Sequence, residues 1–139
     1  MSARLVPELD VEDLGVSLAF YRDVCGFHVL YERPAERFAY LALDGAELML
    51  EEAGGPGRRF HTAPLEKPYG RGINLQIVVA AVRPIYERVL QAKARLVLDI
   101  EERWYRLDDQ EGGNRQFVVA DPDGYLLRFF QDLGRRPAA

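Results

Sequence analysis

Apolar and polar residues alternate with a period of two along most of this chain. That pattern predicts strands over Leu5–Val11, Phe27–Glu32, Phe38–Leu43, Glu47–Glu52 and Ile73–Val79. Further strands are predicted over Leu96–Glu101, Trp104–Leu107, Gln116–Ala120 and Tyr125–Phe130. The period lengthens in two places. Leu14, Leu18, Tyr21 and Val24 form a helical stripe after Asp13, a good N-cap, and Gly26 supplies the stop. A second helix is predicted over 81–93, with Pro84 in its first turn, where a missing N–H does least harm.

Taken in order, these elements repeat. Each half reads strand, helix, then strands, and each closes on an Asp-Gly turn before a last apolar strand. Asp44-Gly45 is the hairpin signal of the first half, and the DPDG stretch at 121–124 that of the second. A duplicated unit decides architecture before any single residue does. It predicts one α+β domain over 1–139 built from two βαβββ repeats, about 4–53 and 72–132, whose sheets curve round a shared cavity. Residues 54–71 are rich in Gly and Pro and have no period, so they are expected to link the halves and to cover a ligand site. Residues 109–114 are expected to form a turn-rich flap, and those after Gly134 to fray.

Charge and composition narrow the function. The 139 residues carry a net charge of −4, which argues against a nucleic-acid surface. The basic pairs Arg58-Arg59 and Arg135-Arg136 are expected to be solvated. No apolar run is long enough to span a bilayer and no secretory pattern opens the chain, so neither a membrane nor export is expected. Cys25 is the only cysteine, which excludes an intrachain disulfide and suits a cytoplasmic protein. It lies at the apolar end of the first helix and is expected to be buried.

Strand parity separates a core face from an open one. Leu9, Val11, Leu48, Leu50, Leu75, Ile77, Leu127 and Phe129 fall on the oily side. Opposite them lie Glu8, Asp10, Glu47, Met49, Glu51, Asn74, Gln76 and Arg128. This mixture of carboxylates, amides and a guanidinium is either a wet surface or, if the sheets curl, the lining of a pocket. Phe38 and Tyr40 share the open parity of the third strand, Trp104 sits beside the expected flap, and Tyr69 ends the linker. Each aromatic also has a plain packing reading. Arg128 is expected to pair with Glu47 or Glu51. No Ser elbow or phosphate-binding loop is present, and AGGPG lacks the Lys-Ser/Thr follow-up.

Four stretches together resemble a known superfamily. They are Val6-Pro7 with Val11 and Asp13-Leu14; Phe20-Tyr21-Arg22 with Gly26-Phe27; Asp44-Gly45 with ELMLE; and Arg115-Gln116-Phe117 running into DPDGYLLRF. The chain is similar over nearly its whole length to the vicinal-oxygen-chelate proteins, and most of all to their bleomycin-resistance, glyoxalase-like branch. Metal-dependent members hold the ion through His, Gln or Glu on the outer strands. The matching positions here are Val6, Met49, Asn74 and Arg128, which include no good ligand for a hard divalent ion. The resemblance therefore implies a protein with no cofactor and no metal. It would sequester a small, cationic, partly aromatic molecule of the bleomycin kind. Its expected ligand residues are Phe38, Tyr40, Glu47, Met49, Glu51, Asn74, Gln76, Trp104, Gln116 and Arg128. It further implies a homodimer with Pro7 in an exchanged arm. The alternative is a metal-dependent lyase, isomerase or dioxygenase with a displaced site, for which Glu8, Glu47, Glu51 and His28 are the candidates.

Overall fold

A computed structural model describes residues 3–139. The first repeat comprises β1 (Glu8–Val11), α1 (Leu14–Leu18) running into a π-helical segment (Ala19–Cys25), β2 (His28–Arg33), β3 (Phe38–Leu43) and β4 (Ala46–Glu52). The second comprises β5 (Asn74–Val78), α2 (Arg83–Gln91), β6 (Arg95–Leu107), β7 (Gln110–Ala120) and β8 (Leu126–Pro137). Each repeat forms one four-stranded mixed sheet, ordered β1-β4-β3-β2 and β5-β8-β7-β6. In both, the first strand runs parallel to the last and the other neighbours are antiparallel.

Parity does what the alternation implies. Leu9, Val11, Ala39, Leu41, Leu48 and Leu50 of the first sheet join Ile77, Phe117, Val119, Leu127 and Phe129 of the second in one continuous core. The helices complete it with Tyr21, Cys25, Val82, Ile85 and Val89. Burial pushes the Cys25 thiol up, which suits packing rather than reactivity.

The first helix is not α-helical to its end. After Leu18 it widens, and the Gly26 and Phe27 N–H groups both point back to the Tyr21 carbonyl, with Gly26 at φ 92°. The wider winding turns Phe20, Tyr21 and Cys25 all into the core. At the first hairpin, Asp44 (φ 49°) and Gly45 (φ 88°) supply the two positive dihedrals of a type I′ turn.

Four expectations are corrected. β1 starts at Glu8, not Leu5. The two strands expected between 96 and 107 are one strand with register shifts between Leu96, Leu98 and Glu101. An inserted residue flips parity, so a bulged strand reads as two. The expected flap is a tight Asp108–Asp109 turn from which β7 starts at Gln110. Residues after Gly134 are not frayed, because β8 pairs with β7 as far as Pro137.

The repeats grip each other by reciprocal bonds. Asp123 Oδ1 accepts the Glu12 N–H (3.2 Å), and Asp44 Oδ2 accepts the Ala80 N–H (3.3 Å). Each Asp-Gly turn thus holds the strand–helix junction of the other repeat. Within each repeat the last strand caps the helix: Glu52 Oε2 accepts from Leu14 N and Gln131 Oε1 from Val82 N. Beneath the second turn, Tyr21 donates to Asp121 Oδ2 at 2.7 Å, while Asp121 Oδ1 accepts from the Asp123 and Tyr125 amides. Desolvation raises the Asp121 pKa even against these bonds, which pull it down.

Two outcomes follow. Tyr21→Phe leaves a buried acceptor short of one donor and should lower unfolding free energy by about 1–3 kcal/mol in urea titrations at neutral pH. A carboxyl with a raised folded-state pKa binds a proton more readily folded than unfolded. Wild-type stability relative to Asp121→Asn should therefore rise as pH falls from neutral toward about 4, and parallel urea titrations at both ends would read it.

Candidate functional site

Each sheet has a second face turned away from the helices. On the first sheet, register places Tyr31 opposite Tyr40, Arg33 opposite Phe38, Tyr40 opposite Met49, Phe38 opposite Glu51, and Met49 opposite Glu8. The aromatics are packed: Tyr31 and Tyr40 stack at 5.1 Å and 18°, and the Arg33 guanidinium lies 4.3 Å from the Phe38 ring centre. Tyr40 also donates to Glu47 Oε1 at 2.6 Å, and that bond, with one from the Ala3 amide, holds the Glu47 carboxyl below its usual range.

The linker lies on this acidic face. Arg59 reaches Asp10 Oδ1 and Glu51 Oε1, each at 2.6 Å, and the Glu52 carbonyl with its remaining nitrogen. His61 Nε2 sits 2.6 Å from the second Asp10 oxygen. The three side chains of the Arg59 pairings are only 12% (Arg59), 12% (Asp10) and 7% (Glu51) exposed. Gly57 passes so close that a Cβ there would overlap the Glu51 carboxylate. Arg59 is thus not solvated, correcting the reading of Arg58-Arg59 as a surface pair. Two carboxylates facing away from the core need a counter-charge, and the linker brings it. Glu8, beside them, has its pKa raised by burial and by Glu51, with Arg59 opposing.

The second sheet's open face differs. Register aligns Gln76 with Arg128, Arg128 with Val118, Val78 with Phe130, and Phe130 with Gln116. Arg128 Nε donates to Asn74 Oδ1 at 3.2 Å, so it bonds an amide of its own sheet, not Glu47 or Glu51 as expected. Gln116 donates to Glu101 Oε1 at 3.3 Å. Among the described residues, two buried side-chain atoms have no partner, Asn114 Oδ1 and Gln116 Oε1, both on this face.

Trp104 is elsewhere. It shares its side of β6 with Glu102, which accepts from its indole N–H at 3.1 Å, and it packs over Gly113 and under Arg136, 3.9 Å from the ring centre. Gln116 and Glu101 have the opposite parity. The remaining nine expected ligand residues therefore divide into Phe38, Tyr40, Glu47, Met49 and Glu51 on one face and Asn74, Gln76, Gln116 and Arg128 on the other. The faces meet where Tyr125 donates to the Asp10 carbonyl at 2.9 Å. A crevice of about 270 Å³ opens along this seam between Pro7, Glu8, Leu9, Ile73, Leu75 and Leu126. On the helix side, a groove of about 830 Å³ is lined by Val16, Phe20, Lys67, Pro68, Arg95 and Asp123, among others. No periodic signal marks it, because its walls come from a helix, the linker and a turn.

The donors at the positions that bind metal in related enzymes do not fit an ion. Val6 offers no donor, Met49 a thioether, Asn74 an amide already bonded to Arg128, and Arg128 a positive charge. Among the described residues no three His, Cys, Asp or Glu side chains converge as a metal-holding group.

Two βαβββ repeats with a mixed sheet each, and a polar open face beside an apolar core, define a class of small-ligand and metal-ion scaffolds. The chain belongs to the Glyoxalase/Bleomycin resistance protein/Dioxygenase superfamily, whose family model matches residues 6–129. It is 28% identical over 134 residues to a bleomycin resistance protein of Geobacillus stearothermophilus, covering 92% of this chain and 96% of that one. A crystal structure of a superfamily member from Vibrio splendidus 12B01 shares 41% identity over 91% of this chain and 95% of its own, at a TM-score of 0.44. The crystal structure of TioX from Micromonospora sp. ML1 has a TM-score of 0.70 at 24% identity, over 95% of this chain and all (100%) of its own.

Removing Arg59 should expose the charge problem it solves. Arg59→Met leaves the Asp10 and Glu51 carboxylates facing each other and should destabilise by about 2–4 kcal/mol in urea titrations at neutral pH. Adding Glu51→Gln should recover part of the loss. A double variant no more stable than Arg59→Met would show that the guanidinium contributes only packing.

Proposed function

We propose that this protein binds and sequesters a small organic molecule without a metal ion, in the manner its bleomycin-resistance relatives' name suggests. The observation that carries the reading is a stacked aromatic group with carboxylates beside it, in a fold whose metal-ligand positions hold Val6, Met49, Asn74 and Arg128, a set that does not suit an ion. Tyr31 is exposed and stacks on the buried Tyr40 and Phe38, which back it as a platform, and Glu8 and Glu47 lie beside it to meet positive charge. Sequestration asks only for such complementarity and no Lewis acid.

A homodimer completes the reading. The first open face is acidic, while the second carries Arg103 and Arg128 as well as Glu101 and Asp132. Complementary faces on one chain favour a second copy placed so that unlike faces oppose, with Pro7 at the seam as its arm. The ligand would lie between them, held by the aromatics and carboxylates of one copy and Asn74, Gln76, Gln116 and Arg128 of the other. Metal-free bleomycin is the first candidate.

Titration of EDTA-treated protein with metal-free bleomycin tests this. One saturable site per chain is expected by calorimetry. A ligand at a hundred times its Kd stabilises the fold by about 2.7 kcal/mol, a melting shift of roughly 5–15 °C at this size. No heat and no shift would remove the drug. Restored binding or activity after addition of a divalent ion would favour a metalloenzyme instead.

A further inference from the structure

We propose that β7 carries a paired hydrogen-bond acceptor, Asn114 Oδ1 and Gln116 Oε1, which recognises the N–H groups of a neutral, flat ligand: a primary carboxamide or an amino-substituted heteroaromatic ring. The inference rests on reading the second sheet's open face as a ligand surface, and it names the chemistry that face selects.

The argument starts from what is unsatisfied. Buried polar atoms in folded proteins almost always have a partner, and one left without is strongly unfavourable. Here two such atoms stand two residues apart on one strand, so they point the same way. Asn114 is only 9% exposed, and its Oδ1 has no hydrogen-bonding partner among the described residues. Gln116 uses its amide nitrogen on Glu101, which fixes its oxygen as the free end. What these atoms require is a donor.

The surroundings set the rest. Gln116 lies opposite Phe130, and Phe130 opposite Val78, which is 53% exposed although apolar. An apolar floor beside two acceptors suits a flat ring that carries N–H groups at its edge. Charge then selects among donors. Arg103 and Asp132 both lie opposite Asn114, and Glu101 opposite Gln116 with Arg128 further along, so these charges balance, nothing draws an ammonium or guanidinium to the pair, and a neutral donor is favoured. A carboxylate ligand brings acceptors to acceptors and is rejected at this pair despite the arginines. The cationic part of a larger ligand belongs on the acidic first face.

The experiment uses two probes and the full chain. Benzamide carries a ring and two N–H donors, while N,N-dimethylbenzamide keeps the ring and carbonyl and loses both donors. Both are titrated by protein-observed NMR, reading the side-chain amide signals of Asn114 and Gln116. Benzamide should give saturable shifts there, with the dimethyl analogue weaker by roughly tenfold or more. Asn114→Leu and Gln116→Met should each lose benzamide binding while melting no lower than wild type, since each removes a buried orphan. Equal affinity for the two probes, no saturable shift with benzamide, or unaltered benzamide binding in both variants would overturn the proposal. The same samples are titrated with metal-free bleomycin. Benzamide recognition without bleomycin binding leaves the acceptor pair standing and removes the drug. Bleomycin binding without benzamide recognition does the reverse.

Discussion

The two Asp-Gly turns are what the rest of this structure depends on. Each sends a carboxylate across to the backbone where the other repeat turns from strand to helix: Asp123 to Glu12 N and Asp44 to Ala80 N. Those amides lie just beyond the first strand of each repeat, where a parallel ladder ends and an unpaired donor would be left. Because the grip is reciprocal, neither repeat closes its core alone. The second turn has deeper roots, since Asp121 and Asp123 are buried and bind Tyr21 and Ser17 of the first helix. This explains a raised Asp121 pKa without a catalytic role: the carboxyl is desolvated because it joins the halves.

With the halves fixed, the duplicated backbone can be compared position by position. Glu52 and Gln131 cap their own helices from the same place, two residues beyond the core residues Leu50 and Phe129. Counting from those anchors through the parallel ladders, Glu8–Met49 corresponds to Gln76–Arg128, and Asp10–Glu51 to Val78–Phe130. Identical geometry thus carries opposite chemistry. The first repeat has carboxylates beneath a linker that supplies Arg59 and His61. In the second, the corresponding pair, Val78–Phe130, is apolar and left partly open. Desolvating two acids requires a counter-ion, whereas exposing a valine requires nothing, and this difference allows the second face to stay uncovered.

Most of the fold was legible because parity is a local property. Leu9, Leu48, Leu50, Ile77 and Phe129 could be assigned to the core from alternation alone, and the turns from Asp-Gly. Three features were not. The bulges near Leu98 reverse parity without leaving a Gly or Pro to mark them, so one strand read as two. The widening after Leu18 keeps a helical spacing close enough to α to pass for it. Arg59 lies in a segment with no period, and its partners, forty-nine residues away in the case of Asp10, are brought near only by the tertiary fold. The expected site residues were legible as open-face positions, yet sequence could not say that they fall on two separate faces. Trp104 was placed by its proximity to a turn, and strand register moves it to the other side. Asn114 was passed over because it stands among glycines and reads as a turn; it is a strand residue because β7 begins four positions earlier.

Unlike residues at the corresponding positions of the two repeats and unlike open faces are one feature seen twice. An ion-binding site built at the corresponding positions of two repeats needs similar ligands from each, and so keeps the faces alike. Here Met49 and Arg128 occupy corresponding places and share no function as donors. With no shared ligand set across the repeats, the first face is aromatic and acidic and the second apolar with amide and guanidinium groups. A surface of that kind distinguishes the ends of a ligand. Positive charge is drawn toward Glu8 and Glu47 and repelled by Arg128, while hydrogen-bond donors are satisfied best at Asn114 and Gln116. Orientation is then set by where each group fails to fit as much as by where it does. A binding protein needs that selectivity, and a site organised round a central ion obtains it from the metal.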